Sequence, residues 1–311
     1  MPSDSELPVL VYDVGGSHVS AAVCLGRAFR LGPVVSAPHS TEPTSSAFIH
    51  LLYSLGTRAC AGSSLVLGAE LAVPGPFDFT AGISLMQHKL PFLYGVDLRR
   101  QLAQSFGWHP DQVRFLHDAA AFLLGEIGAG AALGIQRAAG ITLGTGIGSA
   151  LAVGGHVVTR GPGVPPGGEI WNLPYEGGIV EDFISARAIQ RSFELRTGLQ
   201  TDVALIASAA GTDPNAAAAF TIFGRHLGLA LRTTLATFAP EAVVLGGGIA
   251  RSAHLFLPTA LNELGDLELR LRISALKDHA ALVGAAVAWF NNSGSANEKS
   301  PHSVATCVDA V

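Results

Sequence analysis

Cysteine is scarce in this chain: Cys24, Cys60 and Cys307 are the only three among 311 residues. Their scattered positions match no zinc-ligand spacing and suit a reducing cytosol. Charge is sparse as well. Only 14% of residues are charged, the net charge is −5 and no basic run stands out, so nucleic acid is not an expected partner. No apolar run reaches the roughly 18 residues of a membrane span. The most apolar stretch is interrupted by Glu126, Gln136 and Arg137. The opening MPSDSELP is acidic and has no apolar centre of the kind a signal peptide needs. Membrane is therefore not an expected partner either, and the expected location is the cytoplasm. No G-x-x-x-x-G-K-[ST] phosphate loop occurs anywhere.

What is present is apolar. Hydrophobic residues make up 49% of the chain, enough for a sizeable core, and the length suits two ordinary domains or one large one. Strand patterns fall at 8–14, 19–25, 65–73, 113–116, 138–143, 149–154, 242–245 and 268–273. Helix patterns fall at 44–60, 97–106, 118–131, 182–196, 215–238 and 278–290. The alternation argues for an α/β architecture. Proline and glycine crowd 154–168, which reads as a long loop of the kind that is often functional. The tail 291–311 is small and polar and reads as disordered.

Residues 9–25, VLVYDVGGSHVSAAVCL, place one acid, Asp13, at the end of an apolar run and just before two glycines. Gly-Gly between apolar runs is a hairpin signal, and that is the simpler reading of these residues alone. The other reading is a turn that holds a phosphate. The pattern recurs in AAGITLGTGIGSALAV (138–153), again with a hydroxyl residue in the turn, Thr145 here and Ser17 there. Two such hairpins about 130 residues apart suggest two similar half-domains. A third glycine turn, Gly246–Gly248, follows the apolar strand of AVVLGGGIA and opens a helix. Each turn alone is weak, and GTGIGSA is not a dinucleotide fingerprint. Three together, each at the end of an apolar strand, favour a nucleotide cleft.

Asp13-Val14-Gly15-Gly16-Ser17, Asp118, Leu143-Gly144-Thr145-Gly146-Ile147-Gly148, Gly168-Glu169 and Gly246-Gly247-Gly248 fall in the order and spacing of the ROK family of repressors, open reading frames and sugar kinases. The chain resembles that family over about residues 8–291. The resemblance implies the actin-like (ribonuclease-H-like) hexokinase fold, with two α/β lobes around a cleft. The lobes would be 1–117 plus about 280–291 and 118–279, with 292–311 a disordered tail. It implies ATP and Mg²⁺ as cofactors, with Asp13 near the metal and the transferring phosphate. Gly15, Gly16 and Ser17 resemble the first phosphate loop. Gly144, Thr145 and Gly146 resemble the second, and Gly246, Gly247 and Gly248 the adenosine turn. Asp118 falls where the family carries its general base. On the residues alone Asp118 also reads as a helix N-cap ahead of an Ala-rich run, and the two roles are compatible. A homodimer is implied as well.

The sugar side departs from the family pattern. The family has Gly-Glu-x-Gly-His, a cysteine-rich loop that binds zinc, and a second Glu. Here 167–185 reads GGEIWNLPYEGGIVEDFIS. Glu169 and Glu181 match the two acids, Asn172 stands at the histidine, and no cysteine is present, so no structural zinc is expected. His117 replaces the Asn that usually precedes the base, and Lys89 stands at another Asn position, with His88 beside it. Gly75, in Val-Pro-Gly-Pro, resembles the cleft floor. Gly75, Lys89, His117, Glu169, Asn172 and Glu181 are thus the candidate sugar contacts. Three substitutions on that side alter hydroxyl recognition and leave the sugar open. The reading implied is an ATP-dependent sugar kinase acting on a hexose or hexose derivative, at the 6-hydroxyl and glucokinase-like. The alternatives are a kinase for amino or N-acetyl hexosamines and a catalytically inactive sugar-binding sensor. The donor is ATP by default, with polyphosphate open.

Overall fold

The computed structural model describes residues 7–39, 44–61, 65–265, 269–293 and 305–306. In chain order its main elements are β1 (Val9–Val14), β2 (His18–Leu25), α1 (Ser45–Ala59), β3 (Ala69–Val73), α2 (Leu98–Phe106), β4 (Val113–His117), α3 (Asp118–Ala129), β5 (Arg137–Leu143) and β6 (Ile147–Val153). There follow α4 (Val180–Phe183), α5 (Ala186–Thr197), α6 (Val203–Ala209), α7 (Pro214–Leu235), β7 (Ala242–Gly246), α8 (Leu257–Leu264), β8 (Arg270–Ile273) and α9 (Ala280–Ser293). They form two compact units, Met1–Ala129 with His279–Val311, and Gly130–Asp278.

The first unit is built on a six-stranded sheet. β1 and β2 form an antiparallel hairpin, β3 adds parallel to β1, and β4 adds parallel to β3. β1 reads as an apolar run from Val9 to Tyr12 because both its faces are covered there. Leu10 and Tyr12 pack with Phe48, Leu52 and Leu55 of α1, while Val9 and Val11 pack with Leu282, Ala286 and Trp289 of α9. α1 starts at Thr44, whose hydroxyl accepts from the Ala47 N–H at 3.1 Å. α3 and α9 cross so closely that a side chain on Gly284 would strike the Ala121 carbonyl, and one on Gly125 the Ala280 carbonyl. This crossing carries α3 with the first unit, whereas the sequence reading drew the boundary ahead of Asp118.

The second unit repeats the plan. β5 and β6 form an antiparallel hairpin, β7 adds parallel to β5, and β8 adds parallel to β7. α5 to α8 supply the helical layer, with Phe220, Phe223, Leu227 and Leu231 of α7 fully or almost fully buried against the strands. α7 begins at the Asp213 cap and carries proline at its first position, where a missing N–H costs nothing.

Four sequence expectations are corrected. The run 65–73 is two strands, because a side chain on Gly68 would strike Trp289 and the Gln112 backbone, and the chain bends there. The run 182–196 breaks after Phe183, because Ser185 takes extended backbone and caps α5 by accepting from the Ala188 N–H. Within the expected disordered tail, Ala305–Thr306 pairs antiparallel with Leu65–Val66; residues 294–304 and 307–311 lie outside the described ones. Cys24 is a buried free thiol but Cys60 is disulfide-bonded, against the expectation of cysteines kept reduced. Among the described residues no helix is long and apolar enough to cross a membrane.

Candidate active site

In the first unit the candidate residues collect at the C-terminal ends of parallel strands, the usual place for ligands in such sheets. Asp13 is the penultimate residue of β1 and pairs with Ala72 of β3, and Val73 pairs with His117 of β4. The turn after β1 is closed by the Gly15 N–H donating to the His18 carbonyl at 2.9 Å. Its next glycine, Gly16, faces open space, and Ser17 Oγ lies 3.0 Å from His18 Nδ1. The turn therefore leaves room for a bulky anion at its backbone.

Asp118 follows β4 directly and opens α3. Its Oδ1 accepts from the Ala119 N–H at 2.7 Å and lies 3.2 Å from His117 Nε2. Both contacts use the same oxygen. The carboxylate is thus aimed by its own helix and by a neighbouring ring, and Oδ2 is left to accept a proton. The side chain is 38% exposed, so an outside hydroxyl can reach it. Gly75 lies against the His117 ring, with an added Cβ at 3.7 Å from Nε2. Asp13, Gly75, His117 and Asp118 are therefore on adjoining strand ends. Lys89 and His88 are exposed in the bend ahead of the short turn Pro91–Leu93, and no contact ties them to that group.

In the second unit the turn Gly144–Gly146 closes the β5–β6 hairpin, with the Gly144 N–H donating to the Gly146 carbonyl at 3.0 Å. Gly246 ends β7 beside Thr142, and Gly247 has φ +83 with its Cα against the Leu143 backbone. The two glycine turns thus abut. Glu181 lies under the first of them. Its Oε2 accepts from the Ile147 N–H at 3.2 Å and its Oε1 accepts from Arg187 at 3.1 Å. Glu169 Oε2 accepts from the Trp171 indole N–H at 2.6 Å. The start of that loop is fastened to β6 by buried Ser149, which donates to the Gly168 carbonyl and accepts from the Ile170 N–H. Asn172 is exposed, and Thr145 is exposed at the turn's tip. Gly144–Gly146, Gly246–Gly248 and Glu181 come together; Glu169 and Asn172 sit further along the same loop.

Backbone N–H groups of glycine turns can hold phosphate oxygens without bulk. A magnesium ion takes most of its oxygens from phosphates and water and needs few carboxylates, so Asp13 beside an open glycine turn fits such a metal. Zinc does not fit. The segment 169–185 has no cysteine, and among the described residues no group of three or more His, Cys, Asp or Glu could hold a metal ion.

Sequence reasoning missed Arg187, Trp171 and Ser149, which hold the acids and the loop. Arg187 carried a faint signal, a cation six residues after Glu181. Trp171 and Ser149 carried none.

A repeated hairpin-plus-parallel-strand unit, with glycine turns at the strand ends, defines the actin-like fold of hexokinases. The sequence pattern of the ROK family matches residues 10–292, and the chain belongs to that family. Glucokinase of Thermotoga maritima is 29% identical over 247 residues, which span 68% of this chain and 76% of that protein. The bifunctional enzyme NanE/NanK of Brucella melitensis is 27% identical over 261 residues, 83% of this chain but 48% of that protein. The crystal structure of the ROK hexokinase from Thermus thermophilus matches with a TM-score of 0.77 at 28% identity, over 93% of this chain and all of that one. A glucokinase and a hexokinase are thus among the proteins this chain is similar to.

Proposed function

We propose that the chain is an ATP-dependent sugar kinase that moves the γ-phosphate to a hydroxyl of a hexose, the 6-hydroxyl in the simplest case. Asp118 carries the reading. Its Oδ1 is held by the Ala119 N–H at 2.7 Å and by His117 at 3.2 Å, an arrangement that fixes a carboxylate to take a hydroxyl proton. The sugar oxygen then attacks the γ-phosphorus, the bond to the β-phosphate oxygen breaks, and ADP leaves. Asp118 accepts the proton and passes it to water. The glycine turns and Ser17 hold phosphate oxygens; Asp13 would hold the Mg²⁺, which neutralises charge on the phosphates when bound. Gly75, Lys89, His117, Glu169, Asn172 and Glu181 would face the sugar. A cytoplasmic homodimer agrees with a substrate pair of ATP and free sugar.

His117, Lys89 and Asn172 replace groups suited to plain hydroxyls, and the similarity to NanE/NanK supports a second reading, a kinase for amino or N-acetyl hexosamines. A coupled ADP-release assay with Mg-ATP and a panel of glucose, mannose, fructose, glucosamine, N-acetylmannosamine and N-acetylglucosamine separates the two. Asp118→Asn should lower the sugar-dependent rate by about 10² or more. Sugar binding without release in the wild type would sink the kinase and leave the sensor.

A further inference from the structure

The segment Glu169–Ile184 has little regular structure of its own. It contains the two-residue strands Pro174–Tyr175 and Gly178–Ile179 and the four-residue helix α4. It holds no cysteine, so no covalent cross-link can fix it. Yet it carries Glu169 at one end and Glu181 near the other. Something must set its position, and helix α7 supplies a candidate.

Tyr175 at the hairpin is almost fully buried, and its hydroxyl lies 3.0 Å from His226 Nδ1 of α7. Phe183 of α4 completes the cluster. Its ring stands edge-on to Tyr175, with centroids 5.2 Å apart, and 4.9 Å from the His226 ring. The three rings join the hairpin, α4 and α7 at one point. α7 is a firm base: a side chain on Gly224 would strike the Phe256 carbonyl, so the helix cannot shift there without moving its neighbour. From the cluster the order runs outward. Asp182 accepts from the Ile179 N–H, Arg191 donates to the Asp182 carbonyl, and the Glu181 N–H donates to the Trp171 carbonyl at 3.0 Å. Burial lowers His226 below the usual imidazole range and raises Tyr175, so both rings are uncharged near neutrality. A neutral His226 can accept the phenol proton at Nδ1.

We propose that His226 is a positioning residue: held to Tyr175 and packed on Phe183, it fixes the Glu169–Glu181 segment on α7 and thereby sets the sugar affinity. The inference rests on the kinase reading for its kinetic consequence, and on the cluster itself for its structural one. Tyr175→Phe keeps the rings and removes the hydroxyl. His226→Ala removes the ring. His226→Asn restores an acceptor close to the Nδ1 position.

The test measures steady-state kinetics with the best sugar of the panel, and hydrogen–deuterium exchange over 169–181, on the full chain. Tyr175→Phe and His226→Ala should raise the sugar KM about 3- to 10-fold, with kcat within about twofold and the KM for ATP unchanged. His226→Asn should return the sugar KM to within about twofold of wild type. An unchanged sugar KM, an equal loss in kcat and in the KM for ATP, or no recovery in His226→Asn overturns the proposal. Should the wild type turn over no sugar, the kinase reading fails separately. Exchange then decides: faster exchange confined to 169–181 in both variants supports the clamp, and unchanged exchange overturns it.

Discussion

The two glycine turns that end β1 and β5 occupy the same place in two copies of one plan, and they are held differently. The turn after β1 has four residues between the paired Val14 and Val19, and Gly16 in it meets nothing. The turn after β5 has three residues between the paired Leu143 and Ile147. There Glu181 fills the space beside Gly146, Arg187 holds Glu181, and Gly247 presses on Leu143. One turn is open and the other is braced. The contrast shows that a shared topology fixes where a ligand-binding turn sits, while its stiffness comes from neighbours supplied far along the sequence.

The contrast can be broken at its braced end. Gly247→Ala puts a side chain at φ +83 and against the Leu143 backbone, neither of which can yield cheaply. Unfolding in urea should show a loss of more than about 2 kcal/mol, or no folded protein at all.

A second difference between the two plans lies one strand over. β3 carries Glu70, 2% exposed, where the matching β7 is wholly apolar. Burial pushes the Glu70 carboxyl up to about 8, with Arg114 and Arg99 pulling the other way, and one of its oxygens has no hydrogen-bond partner. A carboxyl raised in the folded state contributes stability that is complete below the unfolded value of 4.5 and is lost as pH rises through about 8. Its share of stability should therefore fall over that window, by at most about 1.4 kcal/mol per pH unit. Glu70→Gln should flatten this slope and be the more stable protein above pH 8. Superimposable urea midpoints for the two proteins from pH 5 to 9 would contradict the assignment.

The brace itself is measured by a cycle. Gly146→Ala must push Glu181 aside, so Gly146→Ala and Glu181→Gln should together cost about 1 kcal/mol less than their sum. Strict additivity would mean that Glu181 does not support the turn. The smallest effect belongs to the open turn. Gly16→Ala should change stability by under about 0.5 kcal/mol, while the KM for ATP rises because the new methyl enters the space offered to phosphate.

Much of this was legible in the sequence, for a physical reason. Strands buried on both faces, such as β1 and β5, are apolar runs, and glycines at their ends mark turns, so the repeated plan could be read from local pattern alone. The breaks at Gly68 and Ser185 were not legible. The first depends on Trp289, more than 200 positions away in the chain, and the second on a cap inside a continuous helical pattern. Asp118 could be read as a base and as a helix start, and it does open α3. The supports of the acids were hidden, because Tyr175 and His226 meet across 51 residues and neither belongs to a motif.

The glycine crossing of α3 and α9 also sets an order of events at the ribosome. The second unit is one continuous stretch, 130–278, and can close as soon as it has emerged. The first cannot. Its sheet is made early, but Val9, Val11 and Ala22 wait uncovered until α9, some 150 residues after α3, arrives to seat against them. The unit begun first closes after the second, and Asp118 at the start of α3 gains its firm backing only once α9 has been made.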